Sequence, residues 1–203
     1  MPIRGKLISE ISAADIFDLI TQRTPEDLFL EFKAELLDPR KPKDRQEFDK
    51  ADWVADVVAF ANAQGGHILI GMEADDQERA ARLKPIAGDP AKRLADRLRD
   101  LAIERIKPSI AQLEIVALEI TAPEWIVVAR VPHSLDKPYI SSDNGRARFT
   151  LRDGSRKREM AYDEIREFFL AGPRQQVIVR FLSEIESINS RLADLEKTLR
   201  KVD

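Results

Sequence analysis

The sequence predicts an α/β (α+β) fold in which helices flank a mixed sheet, followed by a C-terminal coiled-coil helix. Three observations lead to this prediction. Short β-rich runs alternate with segments of helical periodicity, glycine and proline separate these segments, and residues 178–202 carry a regular heptad pattern. We therefore expect one domain over residues 1–172 and an oligomerisation helix over residues 173–203.

The first two elements are predicted by a capping signal and by a period-2 pattern. Ser12 begins a capping-box pattern ahead of apolar residues at helical spacing, so a helix is expected over residues 13–22. Residues 28–36 alternate apolar with polar side chains, as in a strand that buries one face. Glu31 and Lys33 then share the polar face of this strand.

The rest of the chain continues the alternation of helix and strand. Amphipathic spacing predicts the helices, and β-rich runs bounded by Pro, Gly or Asp-Asn predict the strands. The charged run over residues 37–49 is expected to be an exposed loop without core residues. The expected elements are helices over residues 47–63, 91–106 and 162–170, and strands over residues 67–72, 113–120, 125–131 and 147–152.

The C-terminal residues have the clearest periodicity in the sequence. Their apolar side chains are spaced alternately three and four apart, as the a and d positions of a coiled coil require. We expect a homo-oligomer, most simply a dimer; the alternative is that this helix packs back onto the domain. The predicted oligomerisation residues are Ile178, Phe181, Ile185, Ile188, Leu192, Leu195 and Leu199.

Composition narrows the class of protein. The sequence has no cysteine, which excludes disulfides, thiolate metal sites and a cysteine nucleophile. It lacks a signal-peptide pattern and any run of about 18 to 20 apolar residues, so we expect a cytoplasmic protein without a membrane partner. The formal net charge is -3, so a nucleic-acid surface would have to come from local clustering of the 33 lysines and arginines.

A double-glycine turn separates the second predicted helix from the second predicted strand. Gly65 and Gly66 permit positive φ and close backbone approach. Asn62 can hydrogen-bond backbone groups at the helix end, and Gly71 closes the strand that follows. Taken alone, these residues indicate a tight turn.

Two segments of the chain together resemble the Schlafen/AlbA-type family of DNA-binding domains, AlbA_2-like. Family members pair an E-x-x-x-x-E-F-K strand, here residues 26–33, with an A-F-A-N-x-x-G-G-x-L-x-I-G segment, here residues 59–71. A further match begins at Arg152-Asp153-Gly154-Ser155, so the resemblance covers about residues 10–170. It implies an α/β core domain whose partner is nucleic acid, either DNA or tRNA.

In nuclease members, the resemblance also implies a divalent-metal site of three carboxylates that cleaves structured RNA such as tRNA. By position, Glu26 and Glu31 are the first two metal ligands. The third follows the glycine that closes the strand, where Glu73, Asp75 and Asp76 stand and where an alanine occupies one family aspartate position. The cofactor would be Mg²⁺ or Mn²⁺, because these ions prefer oxygen ligands and can neutralise charge on a scissile phosphate.

The catalytic residues in this interpretation are Glu26, Glu31 and Lys33, the lysine contacting the phosphate. Residues five apart on a regular strand point to opposite faces, so Glu26 must precede the strand or lie on a bulge to meet Glu31. The alternative is that both acids are solvated, with Glu31 and Lys33 forming a weak surface ion pair.

A second candidate surface is the basic segment over residues 146–158. Guanidinium groups match phosphate geometry, and three arginines of this segment share strand parity. The alternative is a solvated, charge-balanced edge, because Asp143, Asp153 and Glu159 lie nearby. The predicted nucleic-acid-binding residues are Lys33, Arg146, Arg148, Arg152, Lys157 and Arg158.

Three functions are consistent with these patterns. The first is a self-associating nucleic-acid-binding protein that contacts phosphates through its basic strand. The second is a metal-dependent endoribonuclease that cleaves tRNA-like RNA. The third is a non-catalytic assembly factor that acts through its coiled coil. Sensitivity to salt, to chelation and to Glu31→Ala separates the three.

Overall fold

A computed structural model describes residues 3–143, 146–171 and 185 of the 203-residue chain. A 3₁₀ turn at Ile8–Glu10 precedes the first α-helix. The α-helices are α1 (Ala13–Thr21), α2 (Lys43–Asn62), α3 (Gly88–Arg105) and α4 (residues 162–171). The strands are β1 (Leu30–Lys33), β2 (Gly66–Ile70), β3 (Met72–Ala74), β4 (Ala80–Leu83), β5 (Ile86–Ala87), β6 (Ile106–Lys107), β7 (Glu114–Thr121), β8 (Glu124–Val131), β9 (Ile140–Asp143), β10 (Arg146–Arg148), β11 (Thr150–Asp153) and β12 (Arg156–Glu159).

The central sheet joins five strands within the described residues, in the order β1, β2, β8, β5, with β7 paired to β8. β1 and β2 run parallel, and the other pairs are antiparallel. A parallel pair needs a long crossover, which α2 supplies between β1 and β2. The sheet is therefore mixed and flanked by helices, which confirms the α/β domain of the predicted fold class.

The two faces of the sheet pack against different helices. Ile68 and Ile70 of β2 belong to the core that α2 and α3 cover. Leu69 lies between them in sequence and belongs to the opposite core, which α1 covers together with β3 and β4. This alternation is the period-2 geometry of a strand buried on both sides. It places the polar residues of β1, Glu31 and Lys33, on the side of α2.

The capping signal before α1 works as predicted. The Ser12 side chain accepts from the Asp15 backbone N–H, and the Asp15 carboxylate accepts from the Ser12 backbone N–H at 3.0 Å. The helix begins at Ala13 and ends at Thr21, one residue short of the expected end.

The prediction for residues 37–49 is wrong. Leu37 is buried in the core, and α2 already begins at Lys43. The buried Asp49 carboxylate accepts a hydrogen bond from the Leu37 backbone N–H at 3.2 Å. The polar run conceals this structure because the first turns of α2 expose most of their side chains.

The expected strand over residues 147–152 is two separate strands, β10 and β11, divided at Phe149. β10 pairs with β9, which also pairs with β6. β11 pairs instead with β12 through a turn at Gly154. The break places Arg148 and Arg152 in different sheets, so the expected row of cations along one strand is not continuous.

The heptad segment lies outside the described residues apart from Ile185, which is helical and exposed. The coiled coil and the domain boundary at residue 172 therefore stay predictions. In the part of the chain that the structure describes, no helix is both long enough and apolar enough to cross a membrane.

Candidate functional site

The polar face of β1 meets α2 at a group of charged side chains. The Lys33 ammonium lies 3.1 Å from a carboxylate oxygen of Glu31. It also lies 2.9 Å from Asp52 and 3.0 Å from Asp56, which are one helical turn apart on α2. Burial alone would lower the pKa of Lys33, but the carboxylates of Asp56, Glu31 and Asp52 raise it above its ordinary value. Lys33 is therefore a half-buried cation that stays charged at neutral pH.

A second lysine reaches the same two aspartates from β12. Lys157 Nζ lies 2.5 Å from Asp52 Oδ1 and 2.6 Å from Asp56 Oδ1. Burial raises the pKa of Asp56, and the two lysines oppose this effect. Asp56 Oδ2 makes no hydrogen bond with a described residue, so its 3.0 Å contact with the Lys33 ammonium is Coulombic in character.

Arg152 joins this group from β11. Its Nη1 donates to Glu31 Oε2 at 2.6 Å, and the two side chains are 1% and 11% exposed. Its Nε and Nη2 donate to the backbone carbonyls of Asp27 and Leu30, each at 3.0 Å. The guanidinium also lies over the Phe60 ring, with Cζ 4.5 Å from the ring centroid. Arg152 thus fastens β11 to β1.

We call these six residues the ion cluster: Glu31, Lys33, Asp52, Asp56, Arg152 and Lys157. The charges of its three carboxylates and three cations sum to zero, because charged groups removed from water need partners of opposite charge. This arrangement corrects one expectation from the sequence. The cations predicted to face a nucleic acid that instead face internal carboxylates are Lys33, Arg152 and Lys157. Internal carboxylates already neutralise these three cations, and the ion cluster joins β1 and α2 to the β11–β12 hairpin.

Glu26 lies beside the ion cluster, in the segment before β1. Its Oε1 accepts a hydrogen bond from the Phe32 backbone N–H at 2.8 Å. Burial and the negative charge of Glu31 raise the pKa of Glu26 to about 7. Glu26 and Glu31 do converge, because Glu26 precedes the regular strand.

The other two acids that were expected to bind metal form ion pairs of their own. Glu73 on β3 accepts two hydrogen bonds from the Arg82 guanidinium, at 2.8 and 3.0 Å. Asp75 lies 2.6 Å from Arg23 and 3.1 Å from Arg79. Backbone N–H groups of the turn after β3 also donate to Asp75, so this carboxylate stabilises the β3–β4 turn.

The donor set does not fit a divalent metal ion. The structure does not bring Glu73 and Asp75 into one group with Glu26 and Glu31. Among the described residues there is no group of three or more histidines or acids that could hold a metal. Within the ion cluster the Lys33 ammonium already lies among the carboxylates, where a cation would bind. The predicted Mg²⁺ or Mn²⁺ site has no geometric support in this part of the chain.

Arg146 and Arg148 differ from the other predicted contacts, because both are exposed on β10. Neither side chain forms an ion pair or hydrogen bond with another residue that the structure describes. Two residues apart on a strand, they point to the same side. Arg158, in contrast, is paired 2.7 Å from Glu164, and this contact raises its pKa. Arg146 and Arg148 are thus the predicted contacts that remain available to a phosphate.

Asn62 connects the double-glycine segment to the strand with these arginines. At the end of α2, its Nδ2 donates to the backbone carbonyls of Tyr139 at 2.8 Å and Thr150 at 2.9 Å. Its Oδ1 accepts from the Tyr139 backbone N–H at 2.7 Å. Tyr139 precedes β9 and Thr150 begins β11, so this one buried amide holds both ends of the β9–β10 hairpin.

The glycines after Asn62 allow the chain to pass close to its neighbours. Gly65 has φ +73°, and a Cβ there would lie 2.6 Å from the Val131 carbonyl oxygen. A Cβ at Gly66 would lie 2.6 Å from both the Phe29 carbonyl oxygen and the Phe60 ring. Gly71 donates its backbone N–H to the Lys33 carbonyl at 2.8 Å and so continues the contact with β1.

Sequence reasoning missed Asp52 and Asp56. A signal was present, because both stand in the otherwise apolar stretch that includes Trp53, Val54, Val57 and Val58. An acid on the buried face of a helix needs a cation partner. That partner is distant in sequence, since Lys157 lies 101 residues beyond Asp56.

Fold and site define a class of protein: a mixed α/β domain that is joined internally by an ion cluster and carries an exposed pair of arginines on a hairpin. The model of the family described as Schlafen, AlbA_2 matches residues 26–161, more than half of the chain. The chain belongs to this family. The match spans β1, the double-glycine turn and the β11–β12 hairpin, and it confirms the resemblance seen in the sequence.

The solved structures similar to this chain include the following two. One is the crystal structure of the DIP2311 protein from Corynebacterium diphtheriae, with 18% identity and a TM-score of 0.49 over 76% of this chain and 27% of that chain. The other is the solution structure of the N-terminal domain of a RecG-related protein from Nitrosomonas europaea, with 20% identity and a TM-score of 0.42 over 70% of this chain and 88% of that chain. This chain thus spans about a quarter of the first protein. No curated protein matches it.

Proposed function

We propose that this chain is a nucleic-acid-binding protein whose phosphate contacts are made by Arg146 and Arg148. Membership of the Schlafen AlbA_2 family supports binding of nucleic acid. The observation that carries the phosphate contact is the exposure of two arginines on one side of β10, without an anionic partner among the described residues. A guanidinium donates two parallel hydrogen bonds to a phosphate, which makes such a pair suited to a strand backbone.

The buried groups give this surface its rigidity. Asn62 holds both ends of the β9–β10 hairpin, and Arg152 fastens the next strand to β1. A preorganised contact loses less side-chain and loop entropy on binding. The family residues in the ion cluster and in the double-glycine segment thus position the arginines and do not themselves touch the ligand.

The test compares two double variants with the same change in charge. Arg146→Gln/Arg148→Gln removes the proposed contacts, and Arg23→Gln/Arg82→Gln removes two exposed arginines elsewhere. We expect the first to weaken binding of tRNA or duplex DNA by about ten- to a hundredfold and to reduce the salt slope of log K by about two. The second should change affinity by less than about threefold. Equal losses of affinity in both variants would show that only the net charge of the protein matters. That result would refute the assignment of the phosphate contacts to Arg146 and Arg148.

Endoribonuclease activity is not part of the proposal, because Glu73 and Asp75 form ion pairs of their own and no group of acids or histidines among the described residues could hold a metal. The binding reactions test it nonetheless when they are run with Mn²⁺, with Mg²⁺ and with EDTA. Metal-dependent tRNA fragments that disappear in Glu31→Ala would establish the nuclease.

We also propose that two copies associate through the heptad residues, which lie outside the described residues. The support is the uninterrupted a/d spacing from Ile178 to Leu199. Sedimentation should give twice the mass of the chain for the full protein and a monomer for residues 1–172. A monomeric full-length protein would refute the proposal, and a stable complex with a different protein would favour the assembly factor.

A further inference from the structure

A second charged surface lies at the start of α3, on elements other than β10. The segment between β1 and α2, the segment between β4 and β5, and the first turns of α3 enclose a cleft of about 600 Å³. This volume lies in the range of pockets that hold small ligands. The charged residues in its lining are Glu35, Asp38, Arg40, Lys84, Arg93 and Arg97.

The two carboxylates of the cleft are already paired. Glu35 lies 2.8 Å from Lys84 and also contacts Lys41, and these lysines lower its pKa. Asp38 lies 2.8 Å from Arg40, whose hydrogen bonds lower the pKa of Asp38 to about 2. Both acids are therefore ionised at neutral pH and directed at cations in or beside the cleft. Neither carboxylate therefore neutralises Arg93 or Arg97, the other two charged residues of the cleft.

Arg93 and Arg97 are the charges that remain. They are four residues apart on α3, so their side chains are neighbours on one helix face. Both are exposed, and neither forms an ion pair or hydrogen bond with another residue in the described part of the chain. Like-charged neighbours at this spacing repel each other and destabilise a helix slightly. An anion bound between them would remove this repulsion.

We propose that this cleft binds a phosphate-bearing ligand through Arg93 and Arg97. Two guanidinium groups offer paired N–H donors that match phosphate oxygens, and four cations line the cleft against two carboxylates. This excess of positive charge is confined to the cleft, because the whole chain has a formal net charge of -3. The phosphate belongs either to a free polyphosphate or nucleotide or to the backbone of a nucleic-acid strand.

A tryptophan next to the cleft provides a direct readout. Trp125 pairs in register with Ile86, which lines the cleft, and its ring lies under the Lys92 ammonium at 5.0 Å. The other tryptophan, Trp53, is fully buried in the core. A change in fluorescence on addition of ligand therefore reports on Trp125.

The experiment titrates the full chain with inorganic tripolyphosphate and, separately, with a short RNA. Calorimetry measures affinity, and tryptophan fluorescence shows whether the cleft is the binding site. Arg93→Gln/Arg97→Gln is compared with Arg23→Gln/Arg82→Gln, which makes the same change in charge outside both proposed phosphate contacts. Both pairs are exposed, and thermal unfolding checks that each variant folds.

We expect Arg93→Gln/Arg97→Gln to weaken tripolyphosphate binding at least about tenfold, since two charge-assisted contacts are lost. Arg23→Gln/Arg82→Gln should leave tripolyphosphate binding within about twofold of wild type. If tripolyphosphate does not bind but Arg93→Gln/Arg97→Gln weakens RNA binding tenfold, the ligand is a strand phosphate and the site stands.

Two results would overturn the proposal. One is that Arg93→Gln/Arg97→Gln changes the affinity for neither probe. The other is that both double variants weaken tripolyphosphate binding equally, which would show a general charge effect. The cleft and the proposed nucleic-acid contact lie on different elements, α3 and β10. If Arg146 and Arg148 turn out not to bind nucleic acid, the tripolyphosphate test of the cleft is therefore unaffected. Failure here likewise says nothing against the proposed nucleic-acid contact.

Discussion

Replacing Glu31 with glutamine tests whether the ion cluster stabilises the fold. The Glu31 carboxylate contacts both Arg152, at 2.6 Å, and Lys33, at 3.1 Å. Glutamine keeps the size of the side chain and one acceptor oxygen but removes the negative charge. Three cations would then face two carboxylates in the ion cluster. The variant should therefore be destabilised.

The expected loss of stability is large because solvent screens this pair poorly. The side chains of Arg152 and Glu31 are 1% and 11% exposed. Removing one partner of a buried ion pair costs about 3 to 5 kcal/mol, and the retained amide oxygen favours the lower end. A loss of about 3 kcal/mol would lower the melting temperature of a chain of this size by about 6 to 12 °C.

Urea unfolding followed by the fluorescence of the buried Trp53 measures the effect. Glu73→Gln is the matched control, because it makes the same chemical change in an exposed ion pair with Arg82 and should leave the midpoint almost unchanged. A Glu31→Gln midpoint equal to that of wild type in EDTA would refute the reasoning. A higher midpoint would indicate that Glu31 is strained by like charges, as a metal ligand without its metal would be.

Two further substitutions test Glu26 and the double-glycine turn. The folded pKa of Glu26 is about 7 against an ordinary value of 4.5, so its contribution to stability is complete below about pH 4.5 and is lost as the pH rises through 7. Thermal unfolding of Glu26→Gln should match wild type at pH 4 and show about 3 kcal/mol more stability at pH 8; equal melting temperatures at pH 8 would contradict this. Gly65→Ala should cost more than about 2 kcal/mol, because a Cβ there would lie 2.6 Å from a carbonyl oxygen at φ +73°. Gly154→Ala is the control, because Gly154 has φ +61° but no atom lies within 4 Å of where its Cβ would be, so this substitution should cost only about 1 kcal/mol. Equal losses of stability in the two variants would show that the close contact of a Cβ is not what requires glycine at position 65.

Much of the fold is predictable because its long elements repeat a pattern many times. β7 and β8 span eight residues each, and the predicted bounds are correct to within one residue. The capping box at Ser12 fixes the start of α1, since its two hydrogen bonds involve neighbours in sequence. Glu31 and Lys33 share a face of β1, as alternation requires.

The site is harder to predict because its partners are remote in sequence. Arg152 lies 121 residues beyond Glu31, and no local pattern distinguishes an arginine that will be buried from one that will be exposed. Arg148 and Arg152 have the same parity, yet a strand break at Phe149 gives them different surroundings. Asp56 has its signal in the apolar run around it, but the cations that compensate it come from β1 and β12.

We propose that the chain binds nucleic acid through Arg146 and Arg148 and leaves it intact. The most direct measurement is electrophoresis of tRNA and duplex DNA with wild-type protein and with Arg146→Gln/Arg148→Gln, each in Mn²⁺, Mg²⁺ and EDTA. We predict that the wild type retards intact nucleic acid under all three conditions and that the variant does not. Equal retardation by the variant, or fragments that appear when metal is present, would contradict the claim.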